Sequence, residues 1–101
     1  MWLFALFDLP VKTKKQRRAY AEFRKTLLEE GFTMLQFSVY ARYCVGEESA
    51  QAFRRRVRGE IPSAGQVRLL AVTDRQFGKM EVFCGNLPEL PETPPEQLLL
   101  F

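Results

Sequence analysis

Residues 2–7, Trp-Leu-Phe-Ala-Leu-Phe, form an unbroken apolar run that stops at Asp8-Leu9-Pro10. Six residues are too few for a buried helix and far too few to span a bilayer, so the run reads as a buried strand. A strand with no polar side cannot face water on either surface, so both of its faces must be covered. Any fold for this chain has to meet that requirement.

The remaining segments supply candidates for the cover. Thr13 is placed to cap a helix over Lys14–Glu30, whose Ala19, Tyr20, Phe23 and Leu27 share one side, and Gly31 follows as the residue that ends it. Thr33–Tyr43 alternates, as one bent strand or as two short ones broken near Phe37-Ser38. Leu35, Phe37, Val39 and Ala41 point one way. Met34, Gln36, Ser38 and Tyr40 point the other. A second helix is predicted from Glu47 to about Arg58, with Ala50, Phe53 and Val57 on its apolar side, then a loop over 59–65. Gln66–Thr73 reads as a strand, Arg75–Gly78 as a turn, and Lys79–Cys84 as a last short strand. The order fits an α+β, ferredoxin-like βαββαβ sandwich with an additional C-terminal strand and both helices on one sheet face. The other face needs a cover of its own. A homodimer packing sheet to sheet is the simplest; the alternative is that the last strand or the tail folds back.

Length bounds the chain to one domain, read as a core over 1–85 and a tail over 86–101. The tail carries the proline-rich run Asn86–Gln97 and ends in Leu98, Leu99, Leu100 and Phe101, an anchor for the chain's own sheet or for another protein. Charge divides the same way. Residues 1–88 hold all 15 basic residues and nine acidic ones, a net +6, whereas residues 89–101 carry three glutamates and no base. The first part suits a polyanion and the second does not. Two cysteines, Cys44 and Cys84, are read as reduced thiols of a cytoplasmic protein, and no basic leader precedes the apolar run.

The 101 residues include no histidine. This excludes Ser-His-Asp and Cys-His centres and imidazole-bound zinc, and it removes Ser38 as a nucleophile for want of a base. Acid/base chemistry is left to carboxylates, to amines with shifted pKa or to metal-bound water. Asp8, where the first strand ends, is the leading acid: it is either a magnesium ligand, paired with a second copy across a two-fold axis, or an Asx-turn into Leu9-Pro10. Gln36, Ser38 and Tyr40 could line a site near it. Lys14, Lys15, Arg17, Arg18, Arg24 and Lys25 on the first helix, Arg54, Arg55, Arg56 and Arg58 on the second, and Arg68 and Arg75 beyond are a solvated surface or a track for phosphates. Asp74 reads as a turn acid. Phe23 and Phe53 fall on core sides, so exposed aromatics suited to stacking bases are not evident.

Four segments in order carry a resemblance: Phe7-Asp8-Leu9-Pro10, the Lys/Arg-rich helix, Gly31-Phe-Thr-Met-Leu-Gln-Phe-Ser-Val-Tyr40, and Thr73-Asp-Arg-Gln-Phe-Gly78. Together they are similar to the CRISPR-associated Cas2 family, over residues 1 to about 85 and closest to the versions found with type II systems. The resemblance implies a ferredoxin-like homodimer and a magnesium-dependent endonuclease on RNA or DNA, with Asp8 from each protomer as metal ligand. It implies phosphate contacts at Lys14, Arg17 and Arg18 and, more loosely, Arg75. It also implies partnership with the Cas1 integrase and with double-stranded DNA during spacer acquisition, the C-terminal region meeting the integrase. Met34 stands where some members carry a basic residue. Rival readings of the residues are a lone messenger-RNA-cleaving toxin of similar fold and a non-catalytic RNA-binding module.

Overall fold

The structure, a computed structural model, describes residues 1–85. The tail anchor Leu98–Phe101 and the boundary at residue 86 lie outside the described residues. The elements are β1 (Trp2–Asp8), α1 (Lys14–Glu29), β2 (Thr33–Gln36), β3 (Val39–Tyr43), α2 (Glu47–Arg58), β4 (Gln66–Val72) and the short α3 (Asp74–Gly78). The four strands form an antiparallel sheet in the order β2-β3-β1-β4, the ferredoxin-like arrangement. The apolar run is therefore an inner strand, paired with β3 on one side and β4 on the other.

Alternation along β1 sorts the two faces. Leu3, Ala5 and Phe7 are buried and join Phe23 and Leu27 of α1 and Ala50, Phe53 and Val57 of α2 in one core. Both helices thus cover the same face. Full burial of Leu3 and Leu27 contributes about 1.5–3 kcal/mol each. α1 begins at a capping box: the Gln16 amide donates to Thr13 Oγ1 at 3.1 Å, and Gln16 Oε1 accepts from the Thr13 amide at 3.0 Å. It ends before Gly31, whose φ of 88° a side chain would strain.

On the other face Phe4 and Leu6 of β1 are flanked by Ala41 and Val39 of β3 and by Leu70 and Arg68 of β4. Part of its cover comes from within the chain. Phe77 of α3 stacks on Trp2 with centroids 4.1 Å apart and rings 9° from parallel, and it lies 5.8 Å from Phe4. Leu70 stays 54% exposed.

The structure corrects two expectations. The turn over Arg75–Gly78 is one turn of helix, because Thr73 and Gln76 form a second capping box. The strand over 79–84 does not form: residues 79–85 carry no strand. β4 pairs only with β1, and the segment after α3 does not add to its open edge. The expected break at Phe37-Ser38 is present as a two-residue turn between β2 and β3.

Candidate functional site at the end of β1

Asp8 is the last residue of β1 and is exposed, paired across the sheet with Gln66, the first residue of β4. No ion pair holds its carboxylate among the described residues. By alternation it shares a face with Leu6 and therefore with Arg68, which pairs with Leu6 and donates to Gln66 Oε1 at 3.1 Å. A cation, an amide and a carboxylate so meet at one strand end. Arg68 had no special place in the sequence, since only the register sets it two pairs from Asp8 on the same face.

The backbone here is held tightly. Gly65 has a φ of 94°, and a Cβ on it would lie 2.6 Å from the Asp8 carbonyl oxygen and 2.8 Å from Leu9 Cδ2. The loop before β4 can thus approach Asp8 only as glycine. On the other side the Phe7 amide donates to the Ser38 carbonyl at 3.1 Å. This continues the β1–β3 register one pair past Leu6–Val39 and brings the Phe37-Ser38 turn to the same end of the sheet.

Gln36 is exposed and closes that turn opposite Val39. Ser38 has a φ of 64°, a left-handed conformation that costs a non-glycine residue roughly 1–2 kcal/mol, and its Oγ lies 3.4 Å from the Tyr20 hydroxyl. Tyr40 is elsewhere: only 1% exposed, it packs in the core against Phe7. The alternation that placed it beside Gln36 and Ser38 does not survive the turn and the register shift between Met34 and Gln36. Phe37, expected on a strand, is 78% exposed in the turn. An open aromatic therefore exists that the helical periods of the sequence did not show.

The first-helix bases rise directly from this end. Lys14 and Arg18 are exposed and one turn apart. Arg17 is exposed but partly engaged: its Nη1 donates to the Lys12 carbonyl at 3.1 Å and the Val11 carbonyl at 3.4 Å, bracing the loop out of β1. Lys15, Gln16 and Tyr20 face Leu9, Pro10 and Pro62 across a cleft of about 310 Å3. Arg75 is not brought to this end. It is on α3, after the strand residue paired with Trp2, so within one chain it lies at the opposite end of the sheet from Asp8. Cys44 is buried with its Sγ donating to the Arg42 carbonyl at 3.7 Å, and burial pushes its thiol up, which makes it a packing residue and not a nucleophile. No cluster of three or more metal-ligating side chains occurs among the described residues, and no helix there is long and apolar enough to cross a membrane.

Comparison with known proteins places these features in a group. Residues 1–80 match a family model described as CRISPR associated protein Cas2. A protein of Parvibaculum lavamentivorans named CRISPR-associated endoribonuclease Cas2 is 48% identical over 101 residues, covering the whole of both chains. One of the same name from Flavobacterium psychrophilum is 44% identical over 101 residues, covering all of this chain and 88% of its own. Another, from Ligilactobacillus salivarius, is 44% identical over 86 residues, 85% of each.

Proposed function

Because this chain belongs to the CRISPR-associated Cas2 family, we propose that it is a magnesium-dependent endonuclease of the CRISPR adaptation module. In this reading it works as a homodimer that scaffolds the Cas1 integrase and holds the DNA for a new spacer, in the cytoplasm. The carrying observation is Asp8, an exposed carboxylate with no ion pair among the described residues, at the end of an inner strand held by the close approach of Gly65 on one side and by the Phe7–Ser38 backbone bond on the other.

The donor set fits magnesium in a dimer. A magnesium ion takes one or two carboxylates, keeps several waters and prefers oxygen ligands. One chain offers Asp8, and a second copy related by a two-fold axis offers another. The cation supplies charge for the phosphodiester and a lowered pKa for attacking water. The protein's own part is positional. Asp8 would hold the cation, Lys14 and Arg18 would bind backbone phosphates, and the loop Leu9–Thr13, braced by Arg17, keeps the strand end and helix start in fixed relation. Ten of the 15 basic residues are arginine, which favours bidentate phosphate contacts over point charge.

The structure gives little support to the RNA-binding alternative. Bases would stack on an open sheet face, and here Trp2 and Phe4 lie under Phe77. The test of the proposal is Asp8→Ala. Because Asp8 is exposed, the substitution is expected to move stability by no more than about 0.5 kcal/mol. Cleavage of RNA or DNA in magnesium should fall to the no-enzyme background, read on a gel with labelled substrate. Undiminished cleavage by a folded variant removes Asp8 from the chemistry.

A further inference from the structure

Phe37 is the one feature of the Asp8 end that metal-assisted hydrolysis leaves unexplained. Its ring is 78% exposed at the β2–β3 turn, yet it is anchored. It stacks on Tyr20 with centroids 6.0 Å apart and rings 20° from parallel. Tyr20 in turn meets Phe7 at 5.8 Å, and Phe7 meets Tyr40 at 5.7 Å. A column of four rings thus runs from the buried core to the surface and ends in one open aromatic face. The Tyr20 hydroxyl and Ser38 Oγ, 3.4 Å apart, tie the column to the turn. A ring held this way loses little conformational entropy when something stacks on it.

The surroundings select what stacks. Between residues 14 and 25, α1 carries six Lys or Arg against one acid, Glu22. Arg17 and Arg24 stand one turn before and after Tyr20. An aromatic face among cations suits a polyanion that itself has aromatic faces. We propose that Phe37, backed by Tyr20, is a stacking platform for one unpaired base of the strand whose phosphate is presented to Asp8. This rests on the nucleic-acid reading above and adds to it a residue that selects for a strand end or gap with an unstacked base. Paired bases in a duplex are already stacked on both sides, so the platform discriminates against them.

The test measures binding of the full chain without divalent metal, by fluorescence anisotropy, to a single-stranded oligonucleotide and to a blunt duplex of the same length. Phe37→Ala should weaken single-strand binding by about five- to 150-fold and leave duplex binding within about twofold, whereas Phe37→Trp should restore it. An oligonucleotide carrying 2-aminopurine should lose its binding-induced quenching with Phe37→Ala. The proposal is overturned if single-strand affinity is unchanged, if both probes weaken alike, or if Phe37→Ala dissociates a dimer by light scattering, which would assign the ring to a protein interface. Failure of the unaltered chain to bind either probe overturns the functional reading itself, a different result from a Phe37 variant that binds normally.

Discussion

Gly65 shows how much of a site can depend on a side chain that is not there. At a φ of 94°, with a Cβ position 2.6 Å from the Asp8 carbonyl oxygen, alanine brings both left-handed strain and a backbone collision. Gly65→Ala should cost about 2 kcal/mol, read as a lower urea midpoint at unchanged m-value, and should reduce cleavage by displacing Asp8. In the sequence Gly65 was only the end of a loop, because the close approach is made by Asp8 and Leu9, more than fifty positions away. Asp8 stood out in the sequence as the acid that ends an apolar run, with an Asx-turn as its other reading, and it is exposed as the last residue of β1. The place of Tyr40 was not legible, since one turn residue with positive φ and one register shift are enough to exchange the faces of everything after them. The same local fact moved Phe37 from an expected strand face to the surface.

At the scale of elements, most of the fold follows from signals a chain carries locally. α1 was expected over Lys14–Glu30 and ends at Glu29, because Thr13, Gln16 and Gly31 are local start and stop signals. Thr13→Ala, which removes the acceptor for the Gln16 amide, should destabilise the protein by about 1 kcal/mol. That corresponds to a loss of roughly 4–8 °C in Tm by calorimetry. α3 carries the same Thr-x-x-Gln signature at Thr73 and Gln76, so its helical turn was available to sequence reasoning. The segment after it shows the limit. Its alternation, Met80-Glu81-Val82, satisfies the pattern of a strand, but a strand is a pairing and the pattern does not supply the neighbour.

For the whole molecule, the demand made by residues 2–7 is met unequally. Two helices bury one face, whereas the other has one short helix at its Trp2 end and Leu70 left 54% exposed. A second copy packing there is the expectation carried by the proposed function. Light scattering should give twice the 11.8 kDa chain mass, and Leu70→Asp should return it to one chain mass without lowering secondary-structure content by circular dichroism. A wild-type chain at single mass would remove the dimer and with it the second carboxylate. The stack of Trp2 on Phe77 has an optical consequence. Trp2 is the only tryptophan, and it lies six residues along β1 from Asp8, about 20 Å away. Within one chain the indole emission therefore reports on the α3 end of the sheet and is nearly blind to events at the Asp8 end.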